Sequence, residues 1–296
     1  MTCPHPGPLA RAFLFLLGSA AVLTGCTSPG ARLEELARQQ NHLLATLHTA
    51  QFNLRVALPN APQPASRLRV YLEGDGRAWI TPSQPSLDPT PRDPLLARLA
   101  MQDPQPSIYL ARPCQYLSSP ACATRYWTGA RFSNEVLGSL NQALDQLKQR
   151  YGNRDFELIG YSGGGALALL LAARRHDIAQ VQSLAGNLSP RRWAALLDLA
   201  PLQGSLEPLD FDERLSALPQ RHLVGTEDRV VPPSLLDEYA ARLGPADCLE
   251  LQRLAGVDHH AGWLERWPHW RDRPIECKTT RRQAAGRAEV HSVDAP

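Results

Sequence analysis

The chain has no block of like charge. Its 31 Lys and Arg residues face 29 Asp and Glu, for a net charge of +2 over 296 residues, and no long basic stretch occurs, which disfavours nucleic-acid binding. There is no internal repeat, so nothing points to a repeat array. The longest apolar run, Ala12 to Leu23, is short for a bilayer-spanning helix. None of the six cysteines forms a CxxC pair, which makes a zinc-type site the weaker reading of Cys114, Cys122, Cys248 and Cys277. The chain is long enough to bury one large core and needs no second domain to do so.

What is present begins at the N-terminus. One basic residue, Arg11, precedes the apolar run, and small residues follow it, the layout of a secretory signal. The end of this segment, Leu23-Thr24-Gly25-Cys26, resembles the cleavage box of bacterial lipoproteins; the alternative is an ordinary signal with a chance cysteine. The resemblance implies that residues 1–25 are a signal peptide and that Cys26 becomes the lipidated N-terminus. Its acyl chains would then hold the protein on a membrane without any spanning helix. Thr27 stands where an Asp would favour inner-membrane retention, so in a host with two membranes the expected location is the outer membrane, facing the periplasm. In an exported chain, the four downstream cysteines suggest two disulfides. Of the three connectivities, Cys114–Cys122, closing a short loop, and Cys248–Cys277, pinning the end of the domain, are favoured.

The expected organisation is a lipidated N-terminus and spacer helix over 26–51, a single globular domain over 52–277, and a polar, aperiodic, disordered tail over 278–296. Leu33, Leu36, Leu43, Leu44 and Leu47 have helix-compatible spacings, either as a spacer or as an element packed on the domain. Downstream, short apolar strands alternate with helical segments. FNLRVALP, SRLRVYL, SIYLAR, DFELIGY, AQVQSLAGN, QRHLVG and CLELQRLAG read as strands. The helical stretches include 133–152, opened by Ser133 and closed by Gly152. The fold class is therefore α/β, with a mostly parallel central sheet covered by helices on both faces.

One junction decides the functional reading. A strand ends in Gly160-Tyr161-Ser162-Gly163-Gly164-Gly165, and a helix starts at once. Such a turn can hold a serine in a strained, outward-facing position and aim the Gly163 N–H at developing negative charge. A phosphate loop fits poorly, because no Lys-Ser/Thr pair follows; a plain tight turn is the bland alternative. A serine nucleophile needs a base and an acid that orients it. Both types occur downstream, each after a strand: Gly225-Thr226-Glu227-Asp228 and then Gly256-Val257-Asp258-His259-His260.

With these residues the chain resembles the α/β-hydrolase superfamily from about residue 52 to about residue 272. Gly160–Gly164 is similar to the family's nucleophile elbow, Gly225–Pro232 to its Gly-x-x-Asp-x-x-Val-Pro acid loop, and Gly256–His259 to its histidine loop. The resemblance implies Ser162 as nucleophile, Asp228 as orienting acid with Glu227 as its competitor, and His259 as base with His260 as alternative. The oxyanion would be held by Gly163 together with the N–H of Asp75 or Gly76, in a loop, Glu73-Gly74-Asp75-Gly76, that departs from the family's His-Gly form. Two carboxylates there would disfavour an anionic substrate unless Arg77 compensates. No cofactor and no metal are called for. The substrate would be a small-molecule ester or another acyl compound, with carboxylesterase the leading activity and lipase, thioesterase, amidase and peptidase chemistry open on the same fold. A noncatalytic lipoprotein that uses the scaffold for binding is the alternative of a different class. The segment after SLAGN is too short for a full cap domain, so the lid should be small. Tyr116, Tyr126 and Trp127 either wall the pocket or pack under their own loop.

Overall fold

The computed structural model describes residues 27–61 and 64–278. In chain order the elements are α1 (Pro29–Gln39), β1 (His42–His48), β2 (Asn53–Pro59), β3 (Arg67–Leu72), β4 (Trp79–Thr81), β5 (Gln84–Pro85), α2 (Leu95–Met101), β6 (Ser107–Leu110), α3 (Asn134–Tyr151), β7 (Asp155–Tyr161), α4 (Gly163–Arg174), β8 (Ile178–Leu184), α5 (Pro190–Leu196), α6 (Asp212–Ser216), β9 (Gln220–Gly225), α7 (Ser234–Leu243), β10 (Leu249–Leu254) and α8 (Trp263–Arg266). β4 and β5 form a small hairpin of their own, and the other eight strands make one sheet in the order β1-β2-β6-β3-β7-β8-β9-β10. From β6 to β10 every neighbouring pair is parallel, whereas β2 runs antiparallel to both β1 and β6.

Alternation along the strands sorts the core into two layers. Leu68, Val70, Leu72, Phe156 and Leu158 face one side, where they meet α3, α4 and the buried Leu236 and Tyr239 of α7. Tyr71, Ile159, Tyr161 and Leu184 face the other, against Leu33 and Leu36 of α1, Leu95, Leu96 and Leu99 of α2, and the fully buried Trp263 and Trp267. The central strands are buried on both faces, and the polar side chains they carry inward, among them Arg69, Glu157, Gln182 and Arg221, are paired with one another: Arg69 with Glu157, and Gln182 with Glu157 and Arg221. α3 is bounded as its sequence dictates: the Ser133 hydroxyl accepts from the Val136 N–H, and Gly152 takes the left-handed conformation at φ 66°.

The N-terminal segment departs from the expected spacer helix. α1 stops at Gln39, Asn41 turns the chain at φ 54°, and residues 42–48 become an edge strand, with Leu43 opposite Leu58 and Leu47 opposite Leu54. Leu43, Leu44 and Leu47 satisfy a helical spacing, but β2 offers a free edge, and ladder pairing outweighs the weak local preference. Leu33, Leu36 and Ala37 are buried in the core, so the folded unit begins upstream of residue 52. Cys26 and the 1–25 segment lie outside the described residues, as does the tail after Lys278. Among the described residues no helix is long and apolar enough to cross a membrane. Both favoured disulfides are formed, Cys114–Cys122 and Cys248–Cys277.

Candidate active site

The C-terminal ends of β3, β7, β8, β9 and β10 open onto one rim, and each delivers a loop to the same place. Between β7 and α4 stands Ser162, with φ 52° and ψ −122°. That conformation is costly for a residue with a side chain, and close packing fixes it. A Cβ on Gly160 would lie 2.3 Å from the Gly164 carbonyl oxygen, and one on Gly164 would lie 2.1 Å from that of Leu72, so only glycine lets helix and strand approach this closely. The Ser162 carbonyl accepts from the Gly165 and Asn187 N–H groups at 3.0 and 2.9 Å, which ties the turn to α4 and to the loop after β8.

Three side chains then form a hydrogen-bonded series. His259 Nε2 is 3.1 Å from Ser162 Oγ, and His259 Nδ1 is 2.8 Å from Asp228 Oδ2. The other oxygen of Asp228 accepts from the Val230 and Val231 N–H groups, each at 2.8 Å. Asp228 and His259 are buried, at 3% and 5% exposure, while Ser162 is half-buried and lines the cavity. Glu227, the competing acid, is exposed to solvent, so the turn after Gly225 sends inward only the carboxylate that lies three residues on.

The two adjacent histidines separate by role. His259 is clamped by its backbone carbonyl, which accepts from Tyr161 Oη at 2.8 Å and from the Trp263 indole N–H at 3.2 Å. Asp258 is the turn former of this loop: its Oδ1 accepts from the His260 and Ala261 N–H groups, both at 2.7 Å. His260 is exposed on the rim, with Nδ1 3.0 Å from Tyr161 Oη and its ring edge-on to His259 at 4.9 Å. Partial burial of the ring, and then the nearby His259, hold its pKa below the usual imidazole value.

The loop 73–76 lies over the start of α4. A Cβ on Gly163 would sit 2.2 Å from Asp75 Oδ1, and one on Gly74 would sit 3.0 Å from the Ser162 Cβ. As the first residue of α4, Gly163 contributes one of the N–H groups left without an intrahelical acceptor. The Gly74 N–H is already committed to Glu73 Oε1 at 2.8 Å. The N–H groups of Asp75 and Gly76 have no protein acceptor among the described residues.

Arg77 is not what compensates the two carboxylates. The Asp75 carboxylate bridges two buried arginines, Oδ1 to Arg112 Nη1 and Oδ2 to Arg131 Nη1, and these cations hold it ionised despite burial, with its pKa below the ordinary range. Glu73 is 3% exposed, accepts from Tyr109 Oη at 2.8 Å, and has its pKa pushed up to about 7 by burial. Arg112 and Arg131 come from the long loop between β6 and α3. Nothing in their local spacing marks them, because their partner lies 37 and 56 residues upstream. Gln115 braces the same loop through its amide, which donates to the Gly74 carbonyl at 3.0 Å.

Above Ser162 opens a cavity of about 520 Å³. Its apolar wall comes from Trp79, Leu95, Leu96, Trp193, Val230 and Val231. Tyr126 and Trp127 pack in the core beneath their own loop, and Tyr116 packs on the opposite layer, so the aromatic wall consists of other residues. Trp193 belongs to α5, part of the short segment that stands where a lid is expected, and its indole N–H donates to the Val230 carbonyl at 2.7 Å.

No family model matches the chain, and no curated protein matches it by sequence. Solved structures do match in fold. The Pyrococcus furiosus esterase Pf2001 is 14% identical with a TM-score of 0.55, the match covering 83% of this chain and 91% of that one. Est1E from Butyrivibrio proteoclasticus is 14% identical with a TM-score of 0.53, over 76% and 94% of the two chains. TT1662 from Thermus thermophilus is 18% identical with a TM-score of 0.51, over 79% and 99%. The shared architecture is the α/β-hydrolase fold, and at these identities the likeness carries the fold alone.

Proposed function

We propose that the protein is a serine hydrolase that cleaves carboxylic esters through a covalent acyl-enzyme. The observation that carries this reading is the unbroken series Ser162 Oγ, His259 and Asp228, of which Ser162 and His259 line a cavity and Asp228 is buried behind them. In this account His259 Nε2 takes the Ser162 proton as Oγ attacks the ester carbonyl. Asp228 fixes the imidazole tautomer with the proton on Nδ1 and stabilises the imidazolium that forms. The N–H groups of Gly163 and of Asp75 or Gly76 receive the oxyanion. Collapse of the tetrahedral intermediate breaks the ester C–O bond, and His259 returns the proton to the departing alcohol. Water, activated by the same imidazole, then releases the acid and restores Ser162. The short segment around Trp193 leaves the cavity open at the rim, which suits small soluble esters.

The protein is further proposed to be a lipoprotein held on the periplasmic face of the outer membrane by acyl chains on Cys26, a reading supported by the Leu-Thr-Gly-Cys box and by Thr27. Hydrolysis of p-nitrophenyl esters of graded acyl length by the fragment beginning at Thr27 tests the enzyme reading. Turnover that favours short chains and is lost in Ser162→Ala, with the circular dichroism spectrum retained, is the expected result. Equal turnover by the variant refutes the assignment. Metabolic acyl labelling of the full chain, lost in Cys26→Ala, tests the anchor.

A further inference from the structure

We propose that the cavity above Ser162 is built for an acyl compound that carries a second, oxyanionic group, a carboxylate or a phosphate. The inference rests on the serine-hydrolase reading above and narrows its substrate class. Three arginines, Arg77, Arg92 and Arg131, line the cavity beside three acidic residues, Glu73, Asp75 and Asp93. That balance looks neutral until partners behind the wall are counted. Both oxygens of Asp75 are taken, one by Arg131 and one by Arg112, so this group of three carries an excess positive charge. Asp93 pairs with Arg98 at 3.7 Å. Glu73 is turned to Tyr109 Oη and the Gly74 N–H.

Arg77 and Arg92 have no carboxylate within ion-pair distance and no side-chain hydrogen bond among the described residues, although both line the cavity. Arg131 uses Nη1 on Asp75 and Nε on the Thr128 carbonyl, which leaves Nη2 without an acceptor among the described residues. Guanidinium forks at the wall of a concave, half-apolar cavity recognise planar oxyanions by charge-assisted hydrogen bonds, and an excess of one sign of charge in a cleft concentrates the opposite sign in ligands. A neutral ester would make no use of them. Trp79 and Trp193, on the same wall, supply the surface for the carbon skeleton between the two functional groups.

The test compares the p-nitrophenyl monoester of glutaric acid with p-nitrophenyl valerate, which has the same chain length and no charge. The expected kcat/KM ratio favours the glutarate monoester by about tenfold or more at low ionic strength, shrinks as salt is added, and falls about tenfold in Arg77→Gln/Arg92→Gln. The p-nitrophenyl ester of 4-phosphonobutanoic acid, run alongside, tells which oxyanion the arginines prefer. Turnover of both esters with no charge preference overturns this inference and leaves the hydrolase reading standing. Calorimetric titration of Ser162→Ala with monomethyl glutarate and with methyl valerate gives a readout free of catalysis. Salt-sensitive binding of the anion alone upholds the site even if neither ester is hydrolysed, whereas equal affinity for the two overturns it.

Discussion

Asp228 divides its carboxylate between its own loop and His259: Oδ1 accepts two backbone N–H groups at 2.8 Å, and Oδ2 accepts the imidazole Nδ1–H at 2.8 Å. The backbone donors lock the carboxylate plane, and the locked carboxylate fixes the imidazole and its tautomer. Asp228→Asn separates these two functions. An amide oxygen can still accept from Val230 and Val231, but the amide N–H₂ then faces Nδ1 and forces the proton onto Nε2, where it blocks the base. Ester turnover should fall by about 10³- to 10⁴-fold with little change in stability, as read by steady-state kinetics beside urea denaturation. A loss below tenfold would show that Asp228 does not set the tautomer.

His260 should be dispensable in a way that His259 is not. It is exposed, and among the described residues its ring makes one hydrogen bond, to Tyr161 Oη, which is also held by the His259 carbonyl. His260→Ala is expected to lower kcat by less than about tenfold, whereas His259→Ala should remove the general base and about 10³-fold or more of the rate. Equal losses in the two variants would point to a shared proton relay.

The ion pairs under the loop 73–76 give a stability prediction. Asp75→Ala strands Arg112 and Arg131, whose side chains are each 4% exposed, as buried cations facing one another. Breaking a buried pair from one side costs about 3–5 kcal/mol, and chemical denaturation should report a loss of that size. Ester turnover should fall with it, since the same loop carries the proposed oxyanion donors. A loss under about 1 kcal/mol would mean that water reaches the arginines.

Glu73 should make stability depend on pH. Its folded pKa, about 7, lies above the ordinary carboxyl value of 4.5. Between these values the unfolded chain gives up a proton that the folded chain keeps, so stability falls as pH rises through this window. It then stays low above pH 7, by about 3 kcal/mol at most. Glu73→Gln has no proton to lose. Any fixed cost of the amide cancels when unfolding free energies at pH 4 and pH 8 are compared, and the drop seen in the parent should shrink by that amount. Equal drops in parent and variant would mean that Glu73 titrates normally.

Much of this arrangement is legible in the sequence, for local reasons. β7, β9 and β10 each carry apolar residues that lead into a short glycine-bearing loop, Leu158-Ile159-Gly160, Leu223-Val224-Gly225 and Leu254-Ala255-Gly256, so the residues placed at the strands' C-terminal ends can be read directly. The order of Ser162, Asp228 and His259 follows from those loops. What is not legible depends on contacts between distant segments. β1 hides behind leucines that suit a helix until β2 supplies an edge. Arg112 and Arg131 acquire meaning only beneath Asp75, and the cavity's aromatic wall, Trp79 and Trp193, comes from segments joined only in three dimensions. The choice between His259 and His260 rests on one residue of loop path, which Asp258 fixes through its turn.

The central claim is that Ser162 is an activated nucleophile. Incubating the folded fragment that begins at Thr27 with a fluorophosphonate and mapping the adduct by peptide mass spectrometry tests it most directly. The account predicts one adduct, on Ser162, absent from Ser162→Ala and formed far more slowly in His259→Ala. A folded protein that takes up no label at Ser162, or takes it up at the same rate without His259, would contradict the account.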